Sequence, residues 1–220
     1  MFRDNFNLNK NHHLHYCGEY NSMPLMEGGY RMISEYLAAL NAVIVNALAQ
    51  YGRIFAFRFD LRLPDCVDAR PDEFSNYVAS KFVESFKAKI RHNRVCASKA
   101  GSFVHDTKVR YFWVREVGDF GRTHYHFVVL LNGHAFNWLG RYQTSTGNTA
   151  NRVFEAWASA LGVTVESAKT LVHFPENPSY MLLRDDPESV AAFFRRASYL
   201  CKARSKEYGF GHHGYGASRG

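Results

Sequence analysis

The sequence has little cysteine, and none of it is closely paired. The four cysteines, Cys17, Cys66, Cys96 and Cys201, are widely separated and include no C-x-x-C pair. Zinc ribbons and disulfide frameworks need closely or regularly spaced cysteines, so neither is expected. Isolated thiols suit a reducing compartment, and we therefore expect a cytoplasmic protein.

Long apolar segments are also missing. No stretch approaches the roughly 20 apolar residues that a membrane-spanning helix needs. The first six residues include Arg3, Asp4 and Asn5 and lack the apolar segment of a secretory signal. The chain has no G-x-x-x-x-G-K-[ST] loop either, so an ATP-driven motor is not expected.

What the sequence does have is a large apolar fraction and an excess of positive charge. Hydrophobic residues make up 46% of the 220 residues, Phe alone occurs 18 times, and the formal net charge is +7. This composition predicts one folded domain with a substantial core. The charge suits a polyanion such as nucleic acid, although many basic proteins have no such partner.

Hydrophobic periodicity divides the first half of the chain into helices and strands. Residues 1–28 are polar and predict an irregular arm, and helical spacing over 30–51 predicts a helix. Strict alternation over 53–63 predicts a strand with a buried Phe face and a polar face carrying Arg58, Asp60 and Arg62. That polar face either borders a DNA groove or is simply solvated.

A second predicted helix has a basic outer surface. It opens at Pro71-Asp72-Glu73 and carries an apolar stripe to Ile90. Its outer side chains either contact phosphates or form an ordinary solvated face; they are Lys87, Lys89, Arg91, His92 and Arg94.

The second half of the chain is predicted to contain a hairpin and two more helices. The predicted elements are strands at about 109–117 and 124–132, a helix at about 149–161, a short strand at 171–174, and a final helix from Asp186 to about Tyr208. Residues 209–220, which are rich in Gly and His, are predicted to form an unstructured tail. The resulting organisation is an arm (1–28), a single domain (29–208) and a flexible tail (209–220).

The predicted hairpin carries the candidate metal ligands. His124 and His126 form an H-x-H, and side chains two apart on a strand point to the same face. A turn at Gly118–Gly121 places Glu116 opposite His124. Two imidazoles and one carboxylate on one patch are a reasonable ligand set for a divalent metal.

An H-x-H alone is weak support for a metal site. With 11 histidines, chance predicts roughly half of one such pair, and a second one, His13-Leu14-His15, lies in the polar arm. The alternative for His124 and His126 is a pair of hydrogen-bonded strand histidines. The in-phase Glu116 favours the metal hypothesis.

Tyr199 is placed unusually for a structural tyrosine. The final helix has one broad apolar side, formed by Val190, Phe193, Phe194, Ala197, Leu200 and Cys201. Tyr199 falls on the opposite side with Arg195, Lys202 and Lys206, and it is the only one of 13 tyrosines in a Y-x-x-K arrangement. A phenol is a poor nucleophile while protonated, and a neighbouring ammonium such as that of Lys202 favours the phenolate. The alternative is a ring at the rim of the core.

Together these motifs resemble the HUH endonucleases of rolling-circle replication. The closest resemblance is to the inovirus gene-2-type replication family, which includes prophage domains of the YagK/YfjJ C-terminal type. The residues that carry it are R-x-F-A-F-R-F-D-L-R-L-P at 53–64, W-V-R-E at 113–116, H-Y-H-F at 124–127 and Ser218-Arg219. It covers about residues 20–220.

The resemblance implies a fold, a cofactor and a reaction. The fold is α+β, with a central antiparallel sheet of HUH/Rep-like, RRM-like type flanked by helices. Glu116, His124 and His126 would bind Mg²⁺ or Mn²⁺, while Tyr199, assisted by Lys202, would nick origin DNA and leave a 5′-phosphotyrosine and a free 3′-hydroxyl. Positions 195 and 203 are Arg and Ala, and Tyr208 lies nine residues beyond Tyr199, so a one-tyrosine enzyme is expected.

The implied partners are single-stranded DNA or an origin hairpin, a host helicase and a DNA polymerase, in the cytoplasm of a bacterial host. The candidate DNA contacts are Arg58, Arg62, Arg115, Arg122, Arg195 and Lys206. Arg115 and Arg122 either contact phosphates or solubilise the hairpin. The alternatives are a one-tyrosine transposase or relaxase with the same chemistry, and a non-enzymatic basic module that binds single strands by stacking.

Overall fold

The computed structural model describes residues 9–64, 76–101, 103–118, 122–145, 147–204, 206 and 212–220. Its helices within these ranges are α1 (Ser34–Gln50), α2 (Asn76–Lys99), α3 (Thr149–Leu161), α4 (Val165–Thr170) and α5 (Pro187–Ser198). Its strands are β1 (Leu14–His15), β2 (Glu19–Tyr20), β3 (Met23–Pro24), β4 (Met32–Ile33), β5 (Arg53–Arg62), β6 (Arg110–Val117), β7 (Thr123–Asn132), β8 (Val172–His173), β9 (Ser179–Leu183) and β10 (Tyr215–Ala217).

A six-stranded antiparallel sheet forms the centre of the fold. Its order is β10-β6-β7-β5-β8, and β9 pairs with β5 beside β8. Every pairing in it is antiparallel. The α+β prediction, with an antiparallel sheet flanked by helices, is therefore confirmed.

Both faces of the sheet are covered. On β5, Phe55, Phe57 and Phe59 belong to a core shared with α2 and α3, whereas Ile54 and Ala56 belong to a second core shared with α1 and α5. The predicted strand and its Phe face are confirmed, but the face that carries Arg58, Asp60 and Arg62 is not purely polar or solvated, because Ile54, Ala56 and Arg58 are buried. Alternation revealed the Phe face, but it could not reveal that a second helical layer covers the polar one.

Capping residues fix where α3 begins and ends and where α5 begins. The Asn148 side chain accepts a hydrogen bond from Asn151 N at the start of α3, and Gly162 ends that helix with φ at +71°. Asp186 accepts bonds from Glu188 N and Ser189 N at the start of α5, where Pro187 occupies the first turn.

The final helix is shorter than predicted. It ends at Ser198 and is followed by one 3-10 turn, Tyr199–Cys201. Lys202 then adopts an extended conformation and forms an isolated β-bridge with Met32 of β4. Ala203 N donates to Arg31 O at 2.7 Å. The prediction of a helix to Tyr208 is wrong because these contacts to β4 redirect the chain; Tyr208 itself lies outside the described residues.

The described parts of both terminal segments contain more regular structure than the sequence predicted. In the arm, β1 pairs with β4 and β2 pairs with β3, and Leu25 is buried. In the predicted tail, β10 pairs with β6 at the sheet edge, so the prediction of an unstructured segment is wrong for residues 212–220. The predicted helix start at Pro71-Asp72-Glu73 lies outside the described residues.

None of the helices in the described ranges is long and apolar enough to cross a membrane.

Candidate metal centre

Strand register brings the three predicted metal ligands together. Glu116 on β6 is paired with His124 on β7, and His126 lies on the same face two residues further along. Glu116 Oε2 lies 3.9 Å from His124 Nε2 and 3.4 Å from His126 Nε2. The ligand atoms of all three residues lie within 4.8 Å of one another, close enough to hold one metal ion.

Hydrogen bonds on the far side of each imidazole orient its Nε2 toward Glu116. His126 Nδ1 lies 2.5 Å from Asp60 Oδ1, and His124 Nδ1 lies 3.4 Å from the Arg122 carbonyl oxygen. A carboxylate or carbonyl at Nδ1 favours the tautomer that carries its proton there, which leaves a lone pair on Nε2. His126 Nε2 is buried and makes no hydrogen bond with a described residue. This donor set therefore fits a divalent cation.

Asp60 belongs to the candidate site through its contact with His126, which the strand pattern did not reveal. Its carboxylate contacts His126 Nδ1 through one oxygen and His173 Nδ1, at 3.3 Å, through the other. Burial opposes ionisation, but the bond from His126 and its charge lower the pKa of Asp60 to about 2. The same bond raises the pKa of His126 against the effect of burial. Knowledge of how β5 pairs with β7 would have revealed this contact, because Asp60 lies directly opposite His126 in that pairing.

Glu116 is also held by two lysines that follow the last helix. Lys202 Nζ lies 3.2 Å from Glu116 Oε2, and Lys206 Nζ donates to Glu116 Oε1. All three side chains are buried. Burial alone raises the pKa of Glu116, but contact with His126 and the charges of Lys206 and Lys202 hold it far below its ordinary value. Glu116 is therefore a carboxylate at neutral pH.

Tyr199 is brought to this cluster through Lys202. Lys202 Nζ lies 3.8 Å from the centroid of the Tyr199 ring, so the same ammonium contacts both the phenol ring and Glu116. The Arg58 guanidinium carbon lies 5.3 Å from that centroid, and the Tyr30 ring meets Tyr199 edge-on at 5.5 Å. The segment after α5 thus carries Tyr199 to the metal-ligand face of the sheet.

Two of the six predicted DNA contacts border an open cavity beside the histidines. Arg62 and Arg122 are exposed and line this cavity of about 650 Å³, together with His124 and His126. DNA contact stays a prediction for both.

The other four predicted DNA contacts lie elsewhere. Arg58 is buried beside Asp60 and Tyr199, and Lys206 is buried against Glu116. Arg115 faces the opposite side of the sheet and donates to Thr123 Oγ1 at 3.0 Å. Arg195 pairs with Glu27 at 2.9 Å instead of joining Lys202 and Lys206. Of the three cations grouped with Tyr199 by helical spacing, only the two lysines reach the cluster.

The second H-x-H, His13-Leu14-His15, has a different environment. His13 Nδ1 lies 2.7 Å from Glu35 Oε1 on an exposed surface, and His15 Nε2 lies 2.7 Å from the Glu19 carbonyl oxygen. Both histidines are satisfied by separate partners, as expected for surface residues.

Comparison with known proteins identifies a family whose model covers most of this chain. The family model of the YagK/YfjJ C-terminal domain matches residues 17–218. Two proteins of Escherichia coli (strain K12), described as uncharacterized protein YagK and uncharacterized protein YfjJ, are similar to the chain. YagK is 31% identical over 195 residues, covering 85% of this chain and 93% of its own. YfjJ is 29% identical over 199 residues, covering 86% and 95%. No solved structure gives a significant match.

Proposed function

The chain belongs to the YagK/YfjJ C-terminal domain family, and we propose that it is a metal-dependent endonuclease that nicks single-stranded or origin DNA through Tyr199. One observation carries the proposal: the Lys202 ammonium contacts both the Tyr199 ring and Glu116 of the Glu/His/His cluster. A candidate nucleophile, a cation and a candidate metal site therefore adjoin one another, as phosphoryl transfer requires.

In the proposed reaction, the Tyr199 oxygen attacks the phosphorus of a DNA phosphodiester. A bond forms between this oxygen and phosphorus, the bond from phosphorus to the 3′ oxygen breaks, and the phenol proton is released to solvent. The leaving oxygen takes up a proton and becomes a 3′-hydroxyl, while the 5′ side remains as a phosphotyrosine. Attack by a 3′-hydroxyl reverses these steps, so strands are rejoined without ATP.

The residues around Tyr199 have separate roles in this proposal. Lys202, whose ammonium contacts the Tyr199 ring, stabilises the negative charge that grows on the phosphate. Asp60 positions His126, and Glu116 is kept ionised by Lys202 and Lys206. A divalent ion held by Glu116, His124 and His126, which we take to be Mg²⁺ or Mn²⁺, would polarise the scissile phosphate and neutralise its charge.

The biological role that we propose is the initiation of rolling-circle replication of a phage or prophage element. The free 3′-hydroxyl would prime a host DNA polymerase, and a host helicase would separate the strands. With one nucleophile assigned per chain, termination would need a second copy or another acceptor.

The decisive experiment is covalent capture of DNA. Single-stranded oligonucleotides that tile the encoding genetic element are incubated with the protein and Mn²⁺ or Mg²⁺, and adducts are resolved on denaturing gels. We expect one oligonucleotide to yield an adduct, and Tyr199→Phe to reduce it by at least about 10³-fold, since loss of a catalytic nucleophile can cost roughly 10⁶-fold.

Tyr30→Phe is the matched control, because its ring contacts that of Tyr199 while its hydroxyl has no assigned role. It should leave the adduct within a few-fold of wild type. An undiminished adduct with Tyr199→Phe would place the nucleophile elsewhere. Tight, metal-independent binding without any cleavage would instead support the single-strand-binding module.

A further inference from the structure

A second basic site lies away from the metal centre. It is an open groove of about 750 Å³ between α2, the segment before β6 and the end of the chain, and we name it the α2 groove. Tyr111 lines it, and Glu116 lies five residues further along the same strand, roughly 17 Å away. Tyr111 and Val109 pack against the core that β5 shares with α2 and α3. The groove therefore lies on the face of the sheet opposite to His124 and His126.

Among the described residues, five cations and one acidic residue line the α2 groove. The cations are Lys87, Arg91, Arg94, Lys108 and Arg219, and the acidic residue is Asp106. Arg91, Lys108 and Arg219 are exposed, and none of them forms an ion pair with a described residue. An excess of unpaired positive charge in a concave surface concentrates potential there and favours a polyanionic partner.

The fold holds these cations in fixed positions. Lys87, Arg91 and Arg94 follow one another at i, i+4 and i+7 on a single stripe of α2, which spans roughly 10 Å along the helix axis. Arg219 is anchored by its neighbour, since Ser218 N donates to Tyr111 O at 2.9 Å and Ser218 Oγ accepts from Tyr111 N at 3.1 Å. Their backbone positions are therefore set before any ligand arrives.

From this geometry we infer that the α2 groove binds the phosphate backbone of duplex DNA. The stripe on α2 spans about three phosphates of one strand at 3.4 Å per nucleotide. Single-strand sites combine cations with rings on which bases stack. Within the part of the chain that the structure describes, the lining offers one ring, Tyr111, which is half-buried with the Lys87 ammonium 5.5 Å from its centroid. Cations without an open stacking surface suit the backbone of a duplex.

This site goes beyond the proposed nicking reaction and requires neither the metal nor Tyr199. If the chain does nick an origin, duplex flanking the nick would have to extend at least roughly 17 Å, or about five base pairs at 3.4 Å each, to reach the groove. The two proposals can therefore fail separately.

The test is binding of a short fluorescent DNA duplex of arbitrary sequence in EDTA, measured by anisotropy over a series of salt concentrations. In the groove variant, Arg91, Lys108 and Arg219 are all replaced by Gln. We expect at least a tenfold loss of affinity, and a slope of log K against log salt that is shallower by about 2.7, for three lost phosphate contacts.

The matched control replaces Lys10, Lys81 and Arg141 by Gln, which removes the same charge from exposed positions outside the groove. It should change affinity by less than threefold. Equal losses in the two triple variants would overturn the inference, since binding would then follow net charge alone. It would also be overturned if the groove variant lost affinity for an oligo-dT strand while duplex binding stayed unchanged.

Discussion

At the scale of single residues, the candidate site is an arrangement of buried charges. Glu116 is 3% exposed and contacts the ammonium groups of Lys202 and Lys206, which are buried as well. Charges removed from water are tolerated when they are paired, and removing one partner leaves an uncompensated charge in the interior. Glu116 therefore has two roles that can be separated, as a candidate metal ligand and as the counter-ion of two lysines.

Replacing this counter-ion should destabilise the metal-free protein. We expect Glu116→Gln, measured by urea unfolding in EDTA, to lower the free energy of unfolding by about 3 kcal/mol, because the lysines lose their charge partner. His124→Ala also removes a metal ligand, but it uncovers no buried charge and should cost clearly less. Adding Lys206→Met to Glu116→Gln should recover part of the loss. Equal costs for the Glu116 and His124 variants would contradict this assignment.

At the scale of elements, period-two alternation predicted more of the site than helical spacing did. The β6–β7 hairpin keeps the predicted parity of Glu116, His124 and His126, because a short antiparallel connection fixes register locally. Tyr199 reached the site although its helix ends at Ser198. The contacts of Asp60 with His126 and of Lys206 with Glu116 depend on long-range pairing and on a chain direction set by β4, which local spacing cannot encode.

Strand β10 could not be predicted because it has no pattern of its own. Its three residues, Tyr215, Gly216 and Ala217, form a strand through pairing with β6. Gly216 is required there by contact rather than by backbone angle, since a Cβ on it would lie 2.6 Å from the Trp113 ring. The glycine that makes the segment look like a tail is the residue that lets it approach the sheet.

This close approach gives a prediction for the element. Gly216→Val should lower the free energy of unfolding by roughly 1–3 kcal/mol, because the added side chain overlaps the indole or displaces the strand. Gly52→Ala is the control, since a Cβ there meets nothing within 4 Å, and it should change stability by no more than about 0.5 kcal/mol. Urea denaturation followed by circular dichroism measures both. A stable Gly216→Val variant would mean that the docked strand does not contribute to folding.

At the scale of the whole molecule, one sheet carries two basic regions on opposite faces. The metal cluster faces the segment that follows α5, which includes Tyr199, and the α2 groove lies on the other face of the sheet. The 27 lysines and arginines, which outnumber the acidic residues by 7, thus include both lysines buried against Glu116 and exposed side chains such as Arg91. Composition predicted a polyanionic partner, but only the tertiary fold separates the cations that serve internal pairing from those that remain available.

Because the metal ligands come from β6 and β7, which are adjacent inner strands of the central sheet, an ion bound there should stabilise the entire domain. A ligand present at about 100 times its dissociation constant adds about 2.7 kcal/mol to the native state. For a chain of this size that raises Tm by roughly 5–10 °C. We expect Mn²⁺ to produce this rise in differential scanning calorimetry, EDTA to reverse it, and His126→Ala to abolish it. His13→Ala, in the H-x-H of the N-terminal arm, should retain the rise in Tm. A full rise in the His126 variant would place the metal somewhere other than on Glu116, His124 and His126.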